Sequence, residues 1–276
     1  MAVSRKATLG LLLAPGLALL AFGFAYPFAV TLFAPPAAEH PDVLGKLGAM
    51  LTDSYVLGVF ARTVRVAVTV TLVCLVLGFP TAYLIARAPK SRQGLLLALA
   101  VFPLLLSTVV RTFAWLVILG RNGLISDAVL ATGLTDRPPE LLYTEFALVA
   151  GLTQLFMPLM ILTSYSSLSQ IDSGLEDAAR GLGASPGRAF RRIVLPLALP
   201  GVLVGATLVF AGAVTAFTTP LLLGGSRNRT LATLLYDYAN VKLDWGGASA
   251  VALIMTVLVL VVGWASGRIS AKVATS

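Results

Sequence analysis

The sequence predicts an all-α polytopic membrane protein with six transmembrane helices and both termini cytoplasmic. Three observations predict it. Hydrophobic residues make up 58% of the 276 residues and charged residues only 12%, where a soluble domain is about half apolar and a quarter charged. Six apolar stretches are each long enough to cross a hydrocarbon core of about 30 Å, which takes about 20 helical residues. Lysine and arginine gather in alternate connections between those stretches, and that asymmetry sets orientation. Mean hydropathy is +0.91, which excludes disorder. Cys74 and His40 are the only cysteine and the only histidine, too few for a disulfide scaffold or a zinc site. A net charge of +8 would suit nucleic acid if the basic residues shared one water-facing surface. They lie instead in short runs between apolar stretches, which suits a membrane face or an acidic cytosolic protein.

The first stretch, Thr8–Phe33, follows Arg5 and Lys6. A cleaved signal peptide has the same order of parts, but its apolar core of about 7–15 residues is shorter, so a retained helix is expected. The second, Val64–Ala86, has no charge from Val66 onward. The third, Gly94–Leu119, contains Arg111, and the fourth, Tyr143–Leu168, contains Glu145 and Gln154; both are expected to face protein or a polar cavity in part. The fifth and sixth are Gly201–Leu223 and Gly246–Gly267.

With a cytosolic N-terminus, the inner segments carry Arg5, Lys6, Arg87, Lys90, Arg92, Arg180, Arg188, Arg191, Arg192, Arg268 and Lys272, eleven of the twenty basic residues. The pairs Arg62/Arg65 and Arg227/Arg229 run against that trend. In the last outer loop, LATLLYDYANV is expected to lie along the interface with Tyr236 and Tyr238 at headgroup level. The chain divides into residues 1–60, a first helix and outer loop, and residues 61–276, a core of five helices with a patterned inner loop at 169–200.

Bond chemistry is not expected of this chain. It has no GxxxxGK[ST] phosphate loop, and the stretch Gly181-Leu182-Gly183-Ala184-Ser185-Pro186-Gly187 lacks the lysine and a preceding strand. No Ser/His/Asp set, metal-ligand cluster or cofactor motif is present. Energy for any transport comes from a partner or a gradient.

The inner loop reads as two short helices joined by a turn. Asp172 or Ser173 caps the first, with Glu176 and Asp177 in its early turn, where the helix dipole favours negative charge. Leu175, Ala178, Ala179 and Leu182 recur at helical spacing and give an apolar face whose middle is reduced to alanine. Gly183 is a natural stop, and Ser185-Pro186 opens a second helix. Phe190, Ile193 and Val194 supply its apolar face, and Leu195-Pro196 is expected to end it. Such a segment either lies on the inner leaflet or plugs a groove in another protein, for which an alanine face is better suited than for lipid.

This loop resembles the signature of the integral-membrane permease subunits of binding-protein-dependent ABC importers. Asp177-Ala178-Ala179, three residues, Gly183, nine residues and Ile193-Val194-Leu195-Pro196 reproduce its spacing, with Asp177 in place of the usual Glu and Glu176 just before it. Further blocks are similar to spermidine/putrescine-type permeases: Gly78–Arg87, Val110–Trp115, Leu119–Ile125, Phe217–Pro220 and Gly224-Gly225. The resemblance implies a type I ABC importer permease (MetI-like) fold in the cell inner membrane. It also implies a cytosolic ABC ATPase dimer, a second permease subunit, most simply a homologous sister chain, and a periplasmic or lipoprotein substrate-binding protein. Nucleic acid is not among the implied partners. Glu176, Asp177, Ala178, Ala179, Gly183, Phe190, Ile193, Leu195 and Pro196 would couple to the ATPase, which hydrolyses ATP in place of this chain; either Glu176 or Asp177 would make the acidic contact. The implied substrate is a polyamine or a related small amine.

The candidate translocation path comprises Arg111, Trp115, Thr153, Gln154 and Met157, the last three beside the helix-disturbing Pro158. Arg111 either snorkels or pairs with an outer acid, or lines the path; Trp115 either anchors at the interface or stacks on substrate. Two other functions remain open at this level. An ion-coupled carrier would want acids or histidines near the midplane, and a non-transporting scaffold would leave the alanine face unexplained.

Overall fold

The computed structural model describes residues 5–26, 29, 42–133 and 137–274. His40 and most of the expected end of the first stretch, 27–28 and 30–33, lie outside them. Among the described residues the regular structure is all helical. Helix α1, Arg5–Leu20, runs on into a π turn, Ala21–Ala25. Helix α2, Val43–Met50, starts where the Asp42 carboxylate accepts from the Gly45 amide at 2.8 Å. Asp53 caps α3, Ser54–Arg87, in the same way, accepting from Tyr55 at 2.8 Å. Then come α4, Lys90–Leu105, α5, Thr108–Leu119, and α6, Leu124–Ala131. Thr144 caps α7, Glu145–Leu168, accepting from Ala147 at 3.3 Å. Helix α8 is Ser173–Gly181 and α9 is Pro186–Thr215, with a wide π turn at Phe190–Val194. Helix α10, Leu231–Tyr236, and α11, Trp245–Ala274, complete the chain. Five segments of the described residues are long and apolar enough to cross a membrane: α3, α5 with α6, α7, α9 and α11 through Ala271. Within α1, Leu13–Gly23 is a shorter apolar helix.

Three expectations need correction. The third stretch is two helices, because Leu106 and Ser107 take extended backbone angles just after Pro103, and a fresh helix starts at Thr108. The fifth crossing starts and ends earlier than Gly201–Leu223, and Leu195-Pro196 does not end the second loop helix. The Leu195 amide reaches back five residues to the Phe190 carbonyl, and this wider turn eases the clash that a proline makes with the carbonyl four residues before it. The helix therefore runs through Pro196 and Pro200 to Thr215, where Ala216 turns extended. Finally, LATLLYDYANV is not a free surface helix but packs into the protein. Leu231, Ala232, Thr233 and Leu234 are buried, the Leu231 amide donates to Thr63 Oγ1 at 2.9 Å, and the Tyr236 ring packs 4.8 Å from Phe217.

Helices α3, α7 and α9 form the centre. The larger core joins Ala67, Val70 and Cys74 of α3 to Leu148 and Leu152 of α7 and to Val209 and Phe210 of α9. A smaller core at the Arg87 end unites Ala82 and Ile85 with Ile161, Leu168, Val194 and Ala198. Glycines let α7 and α9 touch. A Cβ on Gly201 would lie 2.9 Å from the Thr163 carbonyl oxygen, and one on Gly205 would lie 2.2 Å from Thr163 Oγ1. At the far end of α3, the Arg65 guanidinium pairs with Glu145, with Arg62 Nε 3.6 Å from the same carboxylate. Arg229 pairs with Asp237 and Lys46 with Asp244 at 2.5 Å. Three of the four basic residues that opposed the charge trend are thus matched by acids.

Inserting a side chain at the α7–α9 crossing should cost about 1–3 kcal/mol. Gly205→Val is expected to lower the thermal unfolding midpoint in detergent, whereas Gly58→Ala, with open space around it, leaves it unchanged or raised. The Lys46 ammonium and the Gly247 amide hold the Asp244 carboxyl below its ordinary value. A lowered folded-state pKa stabilises above the ordinary carboxylate value and ceases to do so as pH falls through the lowered one. Asp244→Asn should therefore depress the melting midpoint at neutral pH and have less effect near about pH 3.

Candidate functional site

Helix α8 begins where the Asp172 carboxylate accepts from the Gly174 amide at 2.9 Å, with Glu176 in the first turn and Arg180 in the last, both favourable to the helix dipole. It ends because Gly183 has φ +86°, a left-handed conformation that glycine adopts without a Cβ penalty. The Gly183 amide donates to the Arg180 carbonyl at 2.9 Å and Ala184 to Ala179 at 3.0 Å, the paired bonds of a Schellman stop. Ser185 stands at the head of α9 with Pro186 at its first position, but the serine hydroxyl makes no capping bond.

The two acids of α8 have different surroundings. The Glu176 carboxylate pairs with the Arg87 guanidinium at the end of α3 and accepts from the Tyr83 hydroxyl at 2.9 Å. Asp177 is exposed, with no polar side-chain partner among the described residues. Ala178 is exposed and Ala179 half-buried, while Leu175 and Leu182 stand out at 46% and 91% exposure. Phe190 faces inward, its ring 5.2 Å from Tyr83 and 6.1 Å from Phe79. Ile193 is half-buried, and Leu195 and Pro196 are exposed. Near α8, Arg188, Arg191 and Arg192 border an open cavity with Ser185 and Gly187.

The residues expected along a path have different surroundings. Arg111 is 8% exposed. Its Nη2 donates to Thr108 Oγ1 at 3.3 Å, and its Nε and Nη1 are buried with no partner among the described residues. No acid among the described residues pairs with it, and its guanidinium is buried within the protein. Trp115 is half-buried against the larger core. Thr153 faces α3, its carbonyl accepting from Cys74 Sγ at 3.7 Å. Gln154 is half-buried, and Met157 packs between the two cores. A cavity of about 210 Å³ opens instead where the α4–α5 break meets the end of α9. Thr108, Phe156, Thr215, Phe217 and Thr218 border it, and the hydroxyls of Thr112 and nearby Thr219 share a hydrogen bond at 3.3 Å. Sequence reasoning missed these threonines. The run Phe217-Thr218-Thr219-Pro220, read as part of a span, is the signal that could have placed the break.

A family model described as "Binding-protein-dependent transport system inner membrane component" matches residues 75–275. The spermidine/putrescine transport system permease protein PotB of Escherichia coli (strain K12) is 32% identical over 226 residues, 80% of this chain and 82% of that one. The molybdenum transport system permease protein ModB of Mycobacterium tuberculosis (strain ATCC 25618 / H37Rv) is 32% identical over 201 residues, 72% of this chain and 74% of that one. Among solved structures, a bacterial alginate ABC transporter in complex with an alginate pentasaccharide-bound periplasmic protein aligns with a TM-score of 0.75 at 17% identity. That alignment covers 98% of this chain and 96% of the other.

Proposed function

The chain belongs to the binding-protein-dependent inner membrane permeases of ABC importers, and we propose that it couples to a cytosolic ATPase through α8 while α3, α7 and α9 border the path of a small amine. The observation that carries the coupling role is the exposed face of α8. Leu175, Asp177, Ala178 and Leu182 form a small, glycine-terminated peg with a shaved apolar surface and one free acid. Such a surface gains most from a groove that admits close backbone approach.

The peg is joined to the spans by rigid elements. Helix α9 is 30 residues long, about 45 Å at helical rise, so it outreaches a hydrocarbon core of about 30 Å and brings its first turns to α8. The Arg87-end core then ties α9 to α7 and α3. Closure of two ATPases on ATP would move α8 as a body and tilt α7 and α9, opening the path toward a substrate-loaded receptor. On this reading α8, both termini and residues 169–200 lie in the cytosol, and a second permease, a homologous sister chain, completes the pore. Residues 1–60 then act as a first helix and loop outside a core of five, 61–276. Of the coupling set, Asp177, Ala178, Ala179 and Gly183 belong to the peg, and Phe190, Ile193, Leu195 and Pro196 to its base.

The likeness to PotB supports a polyamine or a related small amine as substrate. Glu145, the one acid in a described crossing segment apart from Asp127, is occupied by Arg62 and Arg65. Selection therefore rests mainly with the receptor, and the path needs only to let a delivered cation pass. Arg111, Trp115, Thr153, Gln154 and Met157 remain path candidates beside the threonine-lined cavity.

Ala179→Asp and Gly183→Asp should abolish uptake and reduce co-purification of the ATPase while membrane insertion persists; normal uptake in both contradicts the docking role. In cells carrying the complete importer, labelled spermidine or putrescine should accumulate in a vanadate-sensitive way. Uptake that continues on an ion gradient alone, without ATP hydrolysis, contradicts the importer reading of the mechanism.

A further inference from the structure

A nine-residue helix is too short to hold its shape or direction alone in water, where about 12–15 residues are marginal. The direction of α8 must come from what it touches. Its polar tie is Glu176, whose side chain is 15% exposed against 22% for Arg87. Arg87 holds both the helix and its approach: one guanidinium nitrogen pairs with Glu176, and Nη1 donates to the Ile171 carbonyl at 3.3 Å, one residue before the Asp172 cap. The guanidinium carbon sits 5.6 Å from the Tyr83 ring centroid. Tyr83 in turn donates to Glu176 at 2.9 Å and meets Phe190 edge-on at 5.2 Å. The end of α3, the start of α8 and the π turn of α9 therefore meet at one charged, partly shielded contact.

We propose that Arg87, supported by Tyr83, is a positioning residue that latches the coupling helix to α3 through Glu176, leaving Asp177 as the acid that meets the ATPase. The latch rests on the coupling role of α8 and adds a second route: movement of the peg reaches α3 directly as well as α9 through the chain. Glu176 is spent within the subunit, since turning it outward would leave the partly buried Arg87 charge without its acid. Asp177, one position on, points away at no such cost.

The test uses the complete importer, reconstituted with its ATPase, sister permease and receptor. Arg87→Glu and Glu176→Arg should each cut uptake by about tenfold or more, the scale of breaking charge-assisted bonds, while the ATPase still co-purifies and still hydrolyses ATP. Combining the two reversals should restore most of the uptake. Arg87→Lys, which keeps the charge but loses the fork, and Glu176→Gln should show smaller losses, and they serve if a reversal fails to insert. Full uptake in the single variants, or a double variant no better than either single, overturns the latch. So does loss of the ATPase from Glu176→Arg alone, which would make Glu176 the contact. Ala179→Asp in the same complex separates the two readings. Full uptake there overturns the coupling role of α8, whereas loss there beside full uptake in Arg87→Glu overturns the latch alone.

Discussion

Helices α7 and α9 cross so closely that their backbones nearly touch, and the other elements take their places from that contact. Lipid offers no hydrophobic drive between helices, so association rests on close packing of small residues. Gly201, Gly205 and Gly212 of α9 admit Ser167, Thr163 and Phe156 of α7 into space that a Cβ would fill. Helix α3 completes the triangle, with Gly78 against Met160 at a would-be Cβ distance of 3.0 Å. A scaffold joined in this way moves as a body, which the proposed coupling through α8 requires.

The same scaffold permits two broken helices. Exposed backbone amides and carbonyls are intolerable against lipid, but they are tolerated where protein covers them or a cavity takes them up. The extended residues Leu106 and Ser107 and the extended Ala216 lie on facing segments that border one small cavity. Thr112 and Thr219 share a hydrogen bond beside it, and the buried Arg111 donates to Thr108 at its edge. Long helices carry the load, and the irregular backbone gathers where adaptable polar groups are useful.

Much of this was legible in the residues, and the failures have physical causes. Charge-free runs located α3 and α11 because lipid tolerates little else over that length. Helix α8 was legible down to its Gly183 stop and to a cap narrowed to Asp172 or Ser173, since both depend on local chemistry alone. Proline rules misplaced the head of α9, because a five-residue-back hydrogen bond eases the clash those rules assume. They also gave too little weight to Pro103, after which the expected third span divides. The burial of 231–234 was not legible because Thr63, distant in sequence, supplies a buried acceptor for the Leu231 amide. The basic pairs outside the charge trend made sense only with Glu145 and Asp237 in view. The choice between Glu176 and Asp177 was open in the sequence, since Arg87 lies some ninety positions away and its reach depends on the end of α3 meeting the first turn of α8.

The most direct test of the coupling role is the accessibility of position 179. With Cys74, already buried, replaced by alanine, Ala179→Cys provides a single thiol on the peg. The coupling role predicts that a membrane-impermeant thiol reagent labels it from the cytosolic side only, that bound ATPase shields it, and that it cross-links to a cysteine placed in the ATPase surface. Labelling from outside the cell, or labelling from the cytosol that is indifferent to the ATPase, would contradict it.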